Sequence, residues 1–228
     1  MRRALAADLP IYCGGHRPYA ALTFDDGPGP YTPLALRILR HAHVPATFFL
    51  VGRNIAPYGR FAVAEGRAGD ALANHTFTHP VLPALASSVI DSELSRTSAA
   101  IHADTGIAPK LFRPPYGSRN STVDATAHRL GLVEVLWNID SADSLGANYA
   151  KIAKNVIAGA KPGAIILMHE NRGQTIRALK FIILPALRQR HIHLVTVPEL
   201  LALDPPSAAQ ARAGPRGCGV GGALRAGS

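Results

Sequence analysis

Apolar residues in this chain come in two alternating patterns. Short, mostly apolar runs of three to six residues are followed by longer segments in which apolar residues return at helical spacing. The runs predict strands at 20–24, 46–51, 71–73, 110–112, 133–137, 164–168 and 193–197. The periodic segments predict helices at 32–43, 57–68, 87–103, 122–130, 148–158 and 175–190, with a short one at 198–203. In 87–103 a serine at 87 or 88 is read as the cap, Val89, Leu94 and Ile101 as the apolar face, and Gly106 as the stop. In 32–43 the repeating positions are Leu34, Ile38 and Leu39. Pro185 predicts a kink or boundary within 175–190.

Strand and helix alternate about seven times, the pattern of an α/β protein with parallel strands. A barrel-like closure and an open doubly wound sheet both satisfy it. No GxGxxG follows the first strand, so a dinucleotide-binding fold has little support. The polar residues favour the barrel. Asp25, Asp26, His75, His79, Arg113, Asp143 and His169 all fall just after predicted strands, which in β/α barrels is the catalytic face.

The stretch Asn74-His75-Thr76-Phe77-Thr78-His79-Pro80 sets two imidazoles four residues apart. On one helical turn such residues share a face and can reach one metal ion. Catalytic zinc sites commonly take three protein ligands, and Asp26 in Thr23-Phe24-Asp25-Asp26-Gly27-Pro28 is the candidate third. The other histidines read as surface or packing residues.

Composition narrows the setting. With 47% hydrophobic and 17% charged residues, 228 residues can bury one sizeable core. We assign residues 16–204 to that domain and read 205–228, rich in Ala, Gly, Pro and Arg, as a disordered tail. The net charge of +9 suits an anionic surrounding, but few aromatics and no recognition motif accompany it, so nucleic acid is not expected as a partner. No segment is long enough to span a membrane, and a monomer is expected. Met1-Arg2-Arg3 begins like an export signal, but Asp8 and Pro10 interrupt the run that should follow. The chain as written therefore points to the cytoplasm, or outside it if the start is misplaced. Cys13 and Cys218 form no CxxC motif, and whether they pair is left open by the sequence.

In its motifs the chain resembles the NodB-type polysaccharide deacetylases, carbohydrate esterase family 4. From about Leu22 to Leu203 these motifs follow the family's order: TFDDGP at 23–28, HTFTHP at 75–80, RPPYG at 113–117, WNIDSADS at 137–144 and LMHE at 167–170. VPATFF at 44–49, PGAIIL at 162–167 and VTVPEL at 195–200 agree as well. The resemblance implies a distorted (β/α) barrel of about seven parallel strands. It also implies a divalent metal on Asp26, His75 and His79, usually zinc, with cobalt or manganese able to serve. Asp25 is implied as catalytic base, paired with Arg113, and His169 as catalytic acid, held by Asp143. The backbone N–H of Tyr116 would face the oxyanion, Leu167 would line the acyl pocket, and Trp137 adjoins it.

The implied activity is removal of N-acetyl groups from N-acetylglucosamine-containing glycans, chitooligosaccharide or peptidoglycan. An O-acetyl esterase on acetylated xylan and an inactive glycan-binding protein are the alternatives. Two positions depart from the family pattern. Ser144 stands where Trp usually walls the acyl pocket, so the pocket is wider unless Tyr149 fills it. Glu170 stands where Asp usually follows the histidine.

Overall fold

The structure, a computed structural model, describes residues 9–219. The parallel strands β1 (Tyr19–Gly27), β2 (Thr47–Leu50), β3 (Ala71–Asn74), β4 (Leu111–Phe112), β5 (Val133–Glu134), β6 (Ile139–Asp140) and β7 (Ala164–His169) lie in the order β5-β4-β3-β2-β1-β7-β6. β8 (His193–Leu194) pairs with the start of β1. The two edges, β5 and β6, are consecutive in the chain. Residues 133–141 leave the β4 side through Val135 N–H to Phe112 O and reach the β7 side through Ser141 N–H to Leu167 O. One interrupted stretch thus curls the sheet into a distorted barrel.

The longest strands are apolar on both faces because both are covered. On β1, Ala20, Leu22 and Phe24 face the outer layer of helices, whereas Ala21 packs in a separate inner cluster with Phe49, Ile165 and Leu167. Period-two alternation then carries Thr23 and Asp25 up the inner face, and on β7 it carries His169 after Ile165 and Leu167.

The helices are α1 (Thr32–Ala42), α2 (Gly52–Ala68), α3 (Ser87–Thr105), α4 (Ser121–Arg129), α5 (Tyr149–Gly159), α6 (Gly173–Ala178), α7 (Leu184–Gln189), α8 (Val197–Leu203) and α9 (Ala208–Ala213). Among the described residues no helix is long and apolar enough to cross a membrane. α6 and α7 join through a π-helical turn, Leu179–Ile183, just before Pro185. The wider turn meets the missing N–H of Pro185 without breaking the rod.

Several sequence expectations need correcting. Ala86, not a serine, precedes α3, and no side chain caps it. The buried face of α3 runs through Ile90, Leu94, Thr97 and Ile101, while Val89 is exposed; Leu34 on α1 is exposed too. The tail is ordered through residue 219. Ser207 and Gln210 form a capping box on α9, and Cys13 and Cys218 join in a disulfide spanning 205 residues of sequence. Lys161 Nζ donates to the Cys218 carbonyl at 2.8 Å. Composition alone suggested disorder; a covalent tie to the barrel removes the chain entropy that would sustain it. Residues 220–228 lie outside the described residues.

Candidate active site

The pivotal side chain is Arg113, fully buried inside the barrel. It follows β4 directly. Its guanidinium lies 4.0 Å from the Phe49 ring centroid and 5.5 Å from that of Trp137. Nε donates to Val135 O and one terminal nitrogen to Leu136 O, both at 3.0 Å. Phe112 and the Ile11 bridge take the N–H groups of Val135 and Leu136, and among the described residues no backbone N–H takes their carbonyls. The other terminal nitrogen donates to Thr23 Oγ1 at 2.9 Å and to Asp25 Oδ1 at 2.7 Å. Burial lowers the arginine's pKa, and Asp25 acts to restore it. A guanidinium stays charged even so.

Asp25 and Asp26 part company at a β-bulge. Alternation along β1 would send Asp26 outward, but the register shifts between Asp25 and Gly27 and Asp26 adopts φ +72°. Its carboxylate is thereby turned to the histidines: Oδ1 lies 3.3 Å from His79 Nε2 and 3.8 Å from His75 Nε2. Burial works to raise the Asp26 pKa, but His75, His169 and His79 together with a hydrogen bond from Asn171 bring it below the usual carboxylate range. Asn171 Nδ2 sits 3.2 Å from Oδ2.

His75 and His79 do converge, but not on the helical turn that their spacing suggested. Residues 75–79 form a loop in which Thr76 and His79 both have φ +65°. Asn74 and Glu93 shape it. Asn74 Oδ1 accepts from Thr76 N–H, and the Glu93 carboxylate accepts from the backbone of Phe77 and Thr78 and from the Thr78 hydroxyl. His75 Nδ1 lies 2.8 Å from the Arg113 carbonyl, so it is the donor nitrogen and Nε2 is the atom turned toward Asp26. The two rings are 4.9 Å apart edge-on, and Tyr116 packs on His79 at 4.8 Å.

Asp26, His75 and His79 form a possible metal site, with one donor atom from each lying within 4.8 Å of the others. Two imidazole nitrogens and one carboxylate oxygen suit a borderline first-row cation. With metal–ligand bonds of about 2.0–2.2 Å in a tetrahedron, ligands stand roughly 3.4 Å apart, close to the separations seen. The residues fit such an ion.

The other half of the site is the pair Asp143–His169. Asp143 is buried; Oδ1 lies 2.7 Å from His169 Nδ1, and Oδ2 accepts from His169 N–H at 2.8 Å and the Thr175 hydroxyl at 2.6 Å. Burial alone would depress the imidazole pKa, but the Asp143 hydrogen bond and charge, with Asp25 and Asp26, raise it to about 9. Asp143 moves below the usual range: burial pushes it up, and the His169 hydrogen bond and charge outweigh that. In the β1–β7 register Asp25 and His169 are direct neighbours, so both halves open onto one space.

The remaining candidates take up different positions. Tyr116 has φ +61° and an exposed ring at the rim. Leu167 and Trp137 are nearly buried, Trp137 filling the space over Gly117. Ser144 is exposed, and Leu145 beside it is 84% exposed. Tyr149 does not close that side; its ring carries the Arg177 guanidinium at 4.0 Å. Glu170, one residue past His169, turns away from the site and is buried against Gly27, where a Cβ would collide with it, and accepts from Thr32 Oγ1. Burial raises its pKa to about 8.

Sequence reading passed over Thr23, Asn74, Glu93, Asn171 and Thr175. Only Glu93 left a readable signal: an acid on the buried face of an amphipathic helix demands a partner.

A model of the polysaccharide deacetylase family matches residues 14–135. The chain is 36% identical over 195 residues to a chitooligosaccharide deacetylase of Bradyrhizobium, covering 78% of this chain and 89% of that protein. It is 38% identical over 159 residues to a bifunctional xylanase/xylan deacetylase of Cellvibrio japonicus, covering 69% of this chain and 23% of that protein. Among solved structures, the Bc1960 peptidoglycan N-acetylglucosamine deacetylase superposes with a TM-score of 0.80 at 31% identity, over 84% of this chain and 92% of that one. A family pseudoenzyme from Bacillus anthracis superposes with a TM-score of 0.81 at 31% identity, over 86% and 69%. Fold likeness therefore does not decide activity, and the side chains must.

Proposed function

Because the chain belongs to the polysaccharide deacetylase family, carbohydrate esterase family 4, we propose that it hydrolyses N-acetyl groups on N-acetylglucosamine-containing glycans, chitooligosaccharide or peptidoglycan, as a monomer. One observation carries the reading: a carboxylate paired with a permanent cation and an imidazole held protonated occupy neighbouring strand positions beside a His-His-Asp donor cluster. A glycan-binding protein has no use for that combination of base and acid.

A divalent metal, zinc in our reading, on Asp26 and the Nε2 atoms of His75 and His79 would acidify water and polarise the acetyl carbonyl. Asp25 takes the proton from the attacking water, and the Arg113 hydrogen bond to Oδ1 fixes its orientation. The Tyr116 backbone N–H donates to the carbonyl oxygen as it gains charge. His169 gives its proton to the departing nitrogen, so the sugar leaves as an amine. Asp143 holds the ring by Nδ1, which leaves Nε2 as the atom that delivers the proton. Leu167 and Trp137 bound the acyl pocket, and Ser144 leaves one side open.

O-acetyl xylan is the second reading, supported by the likeness to the Cellvibrio protein. The deciding assay is acetate release from chitooligosaccharides, peptidoglycan fragments and acetylated xylan. It compares enzyme as purified, chelated, and resupplied with zinc or cobalt. Metal-restored release from the N-acetylated substrates supports the proposal; release from xylan alone selects the esterase, and none from any glycan refutes both.

The disulfide bears on compartment. Such bonds persist in oxidising surroundings, which favours action outside the cytoplasm. Thiol titration of protein purified without reductant should then find no free cysteine; two free thiols would return the protein to the cytoplasm.

A further inference from the structure

Part of the positive charge, Arg37, Lys180 and Arg188, lines one groove. Residues 27–64 and 171–198 hold nine of the 24 Lys and Arg and none of the 15 Asp and Glu, so the rest of the chain is balanced. These two stretches meet in an open groove of about 1180 Å³ between α1 and the α6–α7 rod, and no carboxylate lines it. Its apolar lining includes Ile38, Val44, Leu184 and Ile192, and Arg37, Lys180 and Arg188 stand along it. All three cations are exposed, and among the described residues the side chains of Arg37 and Arg188 have no hydrogen-bond or ion-pair partner. Lys180 lies 4.9 Å from the ring of Phe181, itself 62% exposed, and Leu34 on the other side is 40% exposed.

A ligand for this groove must be anionic and must also bring apolar surface. A sugar-phosphate or other purely polar polyanion meets the first condition and leaves the floor unused. Exposed Phe181 and Leu34 among exposed cations are the arrangement of a surface that enters a lipid interface, where apolar groups insert and Lys and Arg meet phosphates. We propose that the groove seats an anionic phospholipid of a membrane surface. Its phosphate lies on Arg37, Lys180 and Arg188, its first acyl methylenes lie on Ile38, Leu184 and Ile192, and Phe181 and Leu34 enter the interface.

Position gives this seat a consequence. His43 and Val44 precede β2, and Ile192 and His193 lead into β8 beside the start of β1, so the groove lies at the N-terminal ends of the strands. The candidate active site lies at their C-terminal ends. A protein held by the groove presents its site away from the membrane, toward polymer beyond it.

The test is co-sedimentation of the full chain with vesicles of phosphatidylcholine alone and of phosphatidylcholine mixed with phosphatidylglycerol. Wild type should bind the mixed vesicles and not the neutral ones. Each cation contributes about fivefold, so R37Q/K180Q/R188Q should bind roughly 100-fold more weakly. Phe181→Ser should lose about tenfold while keeping the preference for anionic vesicles. Cobalt titration of the distant Asp26/His75/His79 site, unchanged in both variants, establishes that they are folded. Equal binding to both vesicle types, or wild-type binding by the triple variant, overturns the proposal. So does inorganic phosphate binding as tightly as the vesicles, since the floor would then play no part. Binding of an acidic amphipathic peptide without vesicle binding overturns it too, and makes the groove a protein-docking site.

Discussion

The two buried ion pairs of the site, Asp25–Arg113 and Asp143–His169, look alike and behave differently. Each joins a carboxylate to a cation at 2.7 Å beneath the barrel rim. In the first the cation is permanent and has no proton to give up. In the second the cation titrates, so the pair stores a proton that can be given away. The surroundings follow suit. Arg113 is fixed by backbone carbonyls and two aromatic faces, which no proton can disturb. Asp143 is fixed by a hydroxyl and a backbone N–H, which lower its own pKa and keep the proton on the ring. In the mechanism we propose, acid and base differ in the identity of the partner cation rather than in their carboxylates.

The sharpest way to break the comparison is Asp25→Asn. Loss of the base should cut kcat by about 10²–10⁴-fold while cobalt binding at the metal site survives. Unchanged turnover would move the base elsewhere. Next is Arg113→Leu, which leaves Asp25 buried and unpaired. Urea denaturation should show a loss of about 3–5 kcal/mol, and D25L/R113L should recover most of it. A double variant as unstable as the single one would mean that Arg113 matters for its carbonyl contacts alone.

Asp143→Asn tests the titrating pair. The wild-type alkaline limb of kcat/KM should lie near pH 9, and the variant's should move toward the ordinary imidazole value of 6.5. Stability carries the same signature in chelated protein. The His169 pKa is raised on folding, so its contribution is full below pH 6.5 and is lost as pH rises through about 9. Thermal melts should fall more steeply across that window in wild type than in the variant. The smallest effect belongs to Thr175→Val. Removing one hydrogen bond to Asp143 should cost about 1 kcal/mol and move the alkaline limb by less than one pH unit.

Much of this was legible in the chain. Strand runs ending in Asp25, Arg113 and His169 named the rim, because period two and a covered sheet leave few other ways to place a charged residue after an apolar strand. The His75–His79 spacing pointed to converging imidazoles for a partly mistaken reason: the loop, not a helical turn, joins the rings. Its true supports, Asn74 and Glu93, lie on a strand end and a distant helix, and no local pattern links them. The tail misled because Ala, Gly, Pro and Arg describe the solubility of a segment and not its covalent attachment.

Sequence by itself determined the alternation of strand and helix, the side chains capable of acid, base and metal chemistry, and the excess positive charge. Those depend on residue identity and short-range periodicity. Tertiary structure alone decided that Asp26 turns inward at a bulge, that Val135 and Leu136 offer two carbonyls to hold Arg113, that Cys13 meets Cys218, and that Arg37, Lys180 and Arg188 line one groove. Each of these depends on contacts between residues far apart in the chain, and such contacts exist only once the barrel closes.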